Sequence, residues 1–522
     1  QRAPLAHFDR PTPLGRPTPT IELSMNNPVS QRYSIFLLAV LTPALLQAQD
    51  CERGDTYLLS LELEVGGQNL VQGFNVNERS GYLATTTSST ATLTVETRMA
   101  DSDATYQWFV GGTSIEAGQI GVGGGSVVLD VPSGPSRLYI GVRAIEGNVN
   151  GYWVDVLGPI ERDIASVVLA GEDTLVGSGS TFELDFYRNQ AYECGLSGNY
   201  TFLVIEPRDN PGGEAPLWVY LHGGGVGYYD DQGVYRATLN QTEDTWNHEE
   251  SLARLRDFRL PINPQNGQLR NNTRGRRMAE GYRILSVSMC DHDLYGGLGT
   301  PYPNNPNPGA EVNGLQATMA AIEYTVANYP TTHVFAHGTS AGSNGVYYLS
   351  YTFAHIGVQL TGGIMDSTFP TPRYFPIFDA YVGNPAFPFN KPGFDVYEGA
   401  AKIGFFGNVD LGNHTEAQVN AGFTDVPLLV MGGDADPFCA GNLAPIAEAA
   451  AAGLNNCDWY YDGVRQAVAA QPNSPHQVSI IDGAGHVPTH EVQGVGAAAS
   501  DIVDTFIGDI LAGSPPAPFQ DN

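Results

Sequence analysis

Apolar and polar residues alternate in short runs along the first part of the chain. These runs are separated by clusters of Gly, Ser, Asn and Pro, which is typical of β-strands joined by turns. They lie at 57–65, 91–97, 126–131, 137–143 and 152–156. Several short strands at regular spacing predict an all-β sandwich domain over residues 54–158.

From residue 181 the pattern changes to strands that alternate with helices. Two antiparallel lead-in strands are predicted, at 181–186 and 200–205, after a connection at 160–180. Buried strands are then predicted at 217–222, 283–288, 333–336, 362–366, 426–431 and 477–481, and helices at 313–328, 344–355, 443–452 and 496–511. This order predicts an α/β domain over 181–512, with a doubly wound, mostly parallel sheet. Residues 367–425 lack periodicity and are interpreted as a lid or substrate-side excursion.

The N-terminal 48 residues have a different character. A Pro-rich stretch at 1–24 precedes Met25, Arg32 and an apolar run at 35–46 that ends in small residues. This is the pattern of a secretory signal peptide over about 25–48, cut near Ala48, and the run is too short to span a bilayer comfortably. The segment 1–24 is interpreted as lying upstream of the true start. We therefore expect a secreted or periplasmic protein, with no lipid anchor at Cys51.

Composition narrows the partners. The 522 residues carry a net charge of −30, with 55 acidic and 25 basic residues. Such a surface repels nucleic acid and anionic membranes, so neither is expected as a partner. The five cysteines are too few for a disulfide scaffold and are not spaced for zinc. If the protein is exported, Cys439 with Cys457 is the first pairing expected.

The candidate nucleophile is Ser340, in the pentapeptide Gly338-Thr-Ser-Ala-Gly342. A predicted strand precedes it and a predicted helix follows, which is the context of a nucleophile elbow. Glycines flank the serine because the sharp turn leaves little room for side chains. An ordinary Gly/Ser turn is the alternative interpretation of the pentapeptide alone.

A serine nucleophile needs a base and an orienting acid, which should follow later strands. Asp436, followed by Pro437, is preferred as the acid over Asp434. His486, in a Gly-rich loop after the last strand, is the expected base, with His490 as the fallback.

The glycine run after the strand at 217–222 supplies the last part of the site. Gly224 and Gly225 are expected to donate backbone N–H groups to an oxyanion, together with Ala341 after the nucleophile. Such a site transfers an acyl group to water through an acyl-enzyme, and it needs no metal and no cofactor. The order of serine, acid and histidine is that of α/β-hydrolases.

Two family resemblances go further. Residues 54–158 resemble the cadherin-like β-sandwich module of bacterial secreted proteins, in the stretches at 58–63, 101–106, 140–147 and 152–156 and around Phe74. Residues 181–512 resemble the pectin acetylesterase/Notum carboxylesterases, in the stretches at 218–225, 288–297, 337–343 and 366–369. This second resemblance implies Ser340, an acid near Asp436 and His486 as a triad. The glycine loop is also similar to that of hormone-sensitive-lipase-type esterases.

The chain departs from the pectin acetylesterase/Notum pattern at several points. Gly225 replaces an aromatic residue, Ser343 replaces a glycine, and most of the family's disulfides are missing. These departures leave the hydrolase prediction intact and put a pectin substrate in doubt.

The leading hypothesis is thus an exported serine esterase that deacylates a polysaccharide or cleaves another extracellular or polymeric ester. A catalytically silent binding or adhesion protein and a serine peptidase on the same fold are the alternatives. Tyr228, Tyr229 and Phe369 are candidates for lining the substrate pocket. Trp108, Tyr152 and Trp153 are the aromatics that would carry a polysaccharide or surface contact of the sandwich.

Overall fold

The computed structural model describes most of the chain beyond residue 55. The described residues are 56–71, 82–99, 106–112, 118–122, 125–144, 149–238, 246–259, 262, 266–367, 373–387, 391, 393, 395, 426–439, 441–469, 474–490 and 495–517. The predicted signal peptide, Cys51, Phe369 and most of the predicted lid lie outside them. No helix within the described ranges is long and apolar enough to cross a membrane.

The N-terminal part of the described chain forms two β-sheets. Its strands are β1 (Thr56–Val65), β2 (Gln68–Asn69), β3 (Tyr82–Thr85), β4 (Thr90–Met99), β5 (Tyr106–Gly112), β6 (Gly118–Val122), β7 (Gly125–Asp130), β8 (Pro135–Ala144) and β9 (Val149–Leu157). One sheet has the order β2-β1-β4-β7 and the other β3-β9-β8-β5-β6. Alternate residues of both sheets, including Leu61, Leu93, Ile140 and Val154, are buried in one apolar cluster.

The remaining strands mostly form one nine-stranded sheet. They are β10 (Val167–Gly177), β11 (Ser180–Glu193), β12 (Asn199–Ile205), β13 (Ala215–Leu221), β14 (Gly227–Tyr229), β15 (Tyr235–Ala237), β16 (Arg283–Val287), β17 (Thr300–Pro301), β18 (Glu311–Val312), β19 (Thr331–Thr339), β20 (Gly362–Asp366), β21 (Leu428–Gly433) and β22 (Gln477–Ile481). The large sheet runs β10-β11-β12-β16-β13-β19-β20-β21-β22. Its first pairings, from β10 to β16, are antiparallel, and from β16 to β22 all neighbours are parallel.

Helices cover both faces of this sheet. They are α1 (Leu252–Arg259), α2 (Thr273–Ala279), α3 (Gly314–Asn328), α4 (Ala341–Thr352), α5 (Tyr374–Tyr381), α6 (Ala447–Ala452), α7 (Asn456–Ala469) and α8 (Val495–Leu511). Alternate residues of β13 enter two different cores: Leu217 and Val219 pack with α3, α4 and α7, and Trp218 with α2 and α8. A sheet buried on both sides explains the continuous apolar runs. The predicted α/β-hydrolase fold, with its doubly wound, mostly parallel sheet, is therefore observed.

The sequence interpretation was wrong about residues 160–180. These residues are not a simple connection, because β10 forms a long hairpin with β11. Ser178 and Gly179 make its turn with φ angles of 51° and 74°. The hairpin extends the large sheet before residue 181, where the α/β domain was predicted to begin. The domain limits 54–158 and 181–512 stay predictions.

The strand order also fixes where a site can form. The chain goes from β13 to β16 on one side and returns to β19 on the other, so the direction of winding reverses between β13 and β19. Loops leaving the carboxyl ends of strands at such a switch point diverge and leave a crevice. The glycine run follows β13 and Ser340 follows β19.

Candidate active site

Ser340 is the single residue between β19 and α4, and its backbone geometry is strained. Its φ and ψ are 54° and −120°, a conformation that residues with side chains rarely adopt. A Cβ on Gly338 would lie 2.0 Å from the carbonyl oxygen of Gly342. A Cβ on Gly342 would lie 2.0 Å from the carbonyl oxygen of Leu221. Both glycines are therefore sterically required, and the turn has the strained strand-turn-helix geometry expected of a nucleophile elbow.

The loops after β21 and β22 bring an acid and a histidine together. His486 Nδ1 lies 2.8 Å from Asp436 Oδ2. The other carboxylate oxygen, Oδ1, accepts a hydrogen bond of 2.8 Å from the backbone N–H of Phe438. Asp436 is buried and His486 is partly exposed. The bond through Nδ1 orients the imidazole so that Nε2 is the nitrogen able to take a proton.

The two alternatives from the sequence are engaged elsewhere. Asp434 is partly exposed, and its Oδ1 accepts a hydrogen bond of 2.6 Å from the backbone N–H of Gly483. His490 Nε2 lies 2.9 Å from the Tyr220 hydroxyl, and burial lowers the pKa of this histidine well below its usual value. Of these four residues, the structure brings together Asp436 and His486.

The glycine run lies against Ser340. A Cβ on Gly223 would be 2.8 Å from Ser340 Cβ and 2.9 Å from the carbonyl oxygen of Thr339. The Gly223 N–H donates to Thr339 Oγ1 at 3.2 Å, so this group is not an oxyanion donor. Gly225 has a φ of 75°, which turns the chain away from β13. Gly224, Gly225 and Ala341 stay the predicted donors.

Gly223 is the site residue that the sequence reasoning missed. The reasoning considered the glycines only as donors to an oxyanion. The structure shows that Gly223 leaves room for the Ser340 side chain, which depends on the spacing between β13 and β19. The parallel pairing of these strands, with Leu221 opposite Gly338, sets that spacing.

A buried loop with strained backbone, at residues 290–295, packs against the glycine run; we call it the strained loop. His292, Leu294 and Tyr295 have φ angles of 55°, 57° and 60°. The His292 ring packs on Trp246 with ring centroids 3.5 Å apart, and its Cε1 would lie 3.1 Å from a Cβ on Gly224. The Tyr295 hydroxyl accepts a hydrogen bond from the backbone N–H of His222 at 3.0 Å. Backbone strain of this kind persists only where surrounding packing holds it.

Two disulfides lie next to these loops. Cys439 and Cys457 are bonded, as the first pairing suggested, and we call this bond the acid-loop disulfide. Its sulfur atoms lie 3.5 Å and 3.4 Å from the carbonyl oxygen of Asp436. A second disulfide joins Cys194 to Cys290, which the sequence did not predict. It ties the start of the strained loop to the chain after β11.

The proposed substrate-lining tyrosines do not line an open surface. Tyr228 and Tyr229 are fully buried in an apolar cluster with Val226, Tyr302 and Val312. The Tyr228 hydroxyl accepts a hydrogen bond from the backbone N–H of Asp395 at 2.9 Å. Both side chains pack in this cluster, and their role in lining a substrate pocket stays a prediction. Among the described residues, no group of three His, Cys, Asp or Glu side chains is placed to hold a metal ion.

Comparisons with known proteins add the following. No family model matches the chain, and no curated protein matches it. Similar solved structures include Est1E from Butyrivibrio proteoclasticus, with 14% identity, a TM-score of 0.31, and coverage of 66% of this chain and 100% of that one. Esterase Pf2001 from Pyrococcus furiosus has 11% identity, a TM-score of 0.31, and coverage of 65% and 89%. An S-formylglutathione hydrolase from Agrobacterium tumefaciens has 10% identity, a TM-score of 0.36, and coverage of 66% and 99%.

Similarity at this level carries no argument about function. The fold assignment rests on the strand order, the switch point and the elbow. The resemblances to the pectin acetylesterase/Notum family and to a cadherin-like module receive no support and stay predictions.

Proposed function

We propose that this protein is a serine carboxylic-ester hydrolase that acts through an acyl-enzyme. The observation that carries the proposal is the 2.8 Å bond between His486 and Asp436, in a sheet that also presents Ser340 on a strained elbow. The serine turn and the histidine loop are anchored to two adjacent residues. The Ser340 N–H donates to the carbonyl oxygen of Asp366, and the Val487 N–H donates to Ser367 Oγ, both at 2.8 Å.

The chemistry follows from the roles of these groups. His486 Nε2 removes the proton from Ser340 Oγ as the oxygen attacks the ester carbonyl carbon, and Asp436 stabilises the resulting imidazolium. Backbone N–H groups of Gly224, Gly225 and Ala341 receive the oxyanion. The imidazolium then protonates the departing alkoxide, which leaves an ester on Ser340. A water molecule, deprotonated by His486, attacks that ester and releases the acid.

The primary test is hydrolysis of 4-nitrophenyl acetate by the protein without its first 48 residues. We expect turnover, and we expect Ser340→Ala to lower kcat by about 10⁶-fold while the unfolding temperature is retained. A fluorophosphonate should label the wild type and not this variant. Equal activity of both proteins would refute Ser340 as the nucleophile. A folded but inert wild type would favour the silent binding protein, and turnover of peptide amides over esters would favour the peptidase.

We further propose that the substrate is a polymeric ester outside the cell, such as an acylated polysaccharide. The acidic chain and the signal-like pattern at 25–48 support export. An aromatic pair supports polymer contact, since Trp153 is 41% exposed and its ring lies 4.4 Å from that of Tyr139, which is partly buried. Tyr152 is buried, and the side chain of Trp108 lies outside the described residues.

Two measurements test the export and polymer proposals. N-terminal sequencing of the secreted protein should begin directly after residue 48. Acetate release from an acetylated polysaccharide should be reduced in Trp153→Ala, whereas turnover of 4-nitrophenyl acetate should be unchanged. Equal loss on both substrates would contradict a polymer-binding role for Trp153.

A further inference from the structure

Asp366, at the carboxyl end of β20, binds both halves of the candidate site. Its backbone carbonyl oxygen accepts hydrogen bonds from the Ser340 N–H at 2.8 Å and from Ser343 Oγ at 2.6 Å. These two donors belong to the nucleophile elbow. Ser343 Oγ also lies 3.0 Å from the carbonyl oxygen of Gly338, so it joins both limbs of the turn to β20.

The side chain of Asp366 holds the loop that carries the histidine. Its Oδ2 accepts the backbone N–H of Thr489 at 3.1 Å and the Thr489 hydroxyl. The next residue, Ser367, has a φ of 58°, and its Oγ accepts the Val487 N–H. His486 directly precedes these anchored residues. The loop that carries the expected base is therefore fixed to Asp366, which also holds the elbow, and to the adjacent Ser367.

A third strand enters the same network through Thr489. Its Oγ1 lies 3.2 Å from His337 Nε2, on β19, three residues before the nucleophile. The single hydroxyl proton of Thr489 goes to the carboxylate, so His337 Nε2 must donate its proton to Thr489. Burial, together with the positive charges of Arg274 and Arg277, lowers the pKa of His337 to about 3, which keeps this ring neutral.

We propose that Asp366 is a positioning residue that, through Thr489, fixes His486 relative to Ser340. This inference rests on the proposed esterase function. Asp366, Thr489 and His337 are all buried, so water does not compete for their hydrogen bonds. A base and a nucleophile on separate loops lose rate steeply when their separation changes by an ångström, because proton transfer requires hydrogen-bond contact. Asp366 removes that freedom by binding both loops.

Two opposing effects act on the pKa of Asp366. The electrostatic influence of the neighbouring His486 lowers it. Burial has the larger, opposite effect and raises the pKa of Asp366 to about 6. The other groups that face it are Thr489, Ser367, neutral His337 and Tyr461, whose pKa both Asp366 and Asp436 help to raise.

The experiment compares Asp366→Asn, Thr489→Val and Asp482→Asn in 4-nitrophenyl acetate hydrolysis. Asp366→Asn keeps the shape and removes the charge, and Thr489→Val removes the hydroxyl alone. Asp482 lies in the same loop and is exposed, so its variant is the matched control. We expect kcat to fall by about 10- to 100-fold in the first two variants, with KM changed by less than about twofold. The control should match the wild type.

The pH profile separates positioning from a general packing effect. In the wild type, the fall of activity at low pH should include an ionisation near pH 6, because protonation of Asp366 weakens its hold on Thr489. Asp366→Asn should lose this ionisation, and Thr489→Val should keep it. A purely structural role of Asp366 would lower activity in Asp366→Asn and leave the ionisation near pH 6 in place.

The possible outcomes test this inference separately from the proposed esterase function on which it rests. An inert wild type would remove both the esterase function and the inference. An active wild type, with Ser340→Ala inactive and both Asp366→Asn and Thr489→Val at wild-type kcat, would overturn the inference alone. If Asp366→Asn does not fold, Thr489→Val decides, since it keeps the carboxylate and the backbone N–H.

Discussion

The buried acid Asp291 should make the stability of this protein unusually sensitive to pH. It lies in the strained loop that packs against the glycine run, and it is fully buried. It accepts hydrogen bonds from the Gly195 N–H at 2.7 Å and the Tyr200 hydroxyl at 2.8 Å. Burial, and then the neighbouring charge of Asp293, raise the pKa of Asp291 from 3.8 to about 8. The perturbation we consider is Asp291→Asn, which keeps the shape and cannot ionise.

The sign and size of the effect follow from proton linkage. Below pH 8 the folded protein keeps a proton on Asp291, whereas the unfolded chain has released it above pH 4. Stability from this group is therefore complete below pH 4 and is lost as pH rises towards 8. Each pH unit well inside this window removes about 1.4 kcal/mol, and the loss levels off near the pKa, so the wild type should lose about 2 kcal/mol between pH 6 and pH 8. The amide side chain of the Asp291→Asn variant has no proton to release and contributes no such loss.

Urea unfolding at pH 6, 7 and 8, followed by tryptophan fluorescence, measures this difference. The gap in unfolding free energy between Asp291→Asn and the wild type should shift by about 2 kcal/mol in favour of the variant from pH 6 to pH 8. Because the variant and the wild type are compared at each pH, the pH-independent loss of hydrogen bonds in the variant does not affect this shift. The titration of other groups is common to both proteins and cancels. Asp209→Asn is the control, since its side chain is 80% exposed. Parallel pH dependence of the variant and the wild type would refute the reasoning.

Three further predictions concern the site. Gly223→Ala should lower kcat by more than about 100-fold, because the added methyl group meets Ser340. Gly508→Ala is the control in the same kinetic assay and should have no effect, because nothing lies within 4 Å of the added methyl group. Asp436→Asn should lower kcat by about 10⁴-fold, and Asp434→Asn by less than about tenfold. A larger loss of kcat in Asp434→Asn than in Asp436→Asn would make Asp434 the acid. Replacing both cysteines of the acid-loop disulfide by alanine should lower the unfolding free energy by about 3 kcal/mol and also lower kcat, since that bond packs against the acid. Unchanged kcat in that folded double variant would show that the acid loop keeps its position without the bond.

Several features of the site could be predicted from the sequence because they are local. The need for glycine at position 338 is local, because a side chain there would meet the carbonyl oxygen of Gly342 in the same pentapeptide, whereas a side chain on Gly342 would meet Leu221 of the neighbouring strand. The buried strands were visible as apolar runs, since a sheet covered on both faces leaves no polar positions. The positions of Asp436 and His486 after successive strands followed from the expected order of the fold.

Other features were not accessible to the same reasoning. The run at 160–180 was misinterpreted because a hairpin strand with alternating polar residues resembles a loop in sequence. The roles of Gly223 and Asp366 depend on contacts across neighbouring strands. Asp366 is 123 residues from Thr489 in the chain, and no local pattern announces their hydrogen bonds.

The sequence alone therefore determined the chemistry that is available: a serine on a strained turn, acids and histidines after later strands, and a glycine run with little steric bulk. Only the tertiary structure decided which acid meets which histidine, which glycine N–H is already engaged, and which carboxylate holds the two loops together. The physical reason is one of range. Backbone sterics act between neighbours in the chain, whereas hydrogen bonds and desolvation depend on distances that parallel strand pairing sets between segments far apart in sequence.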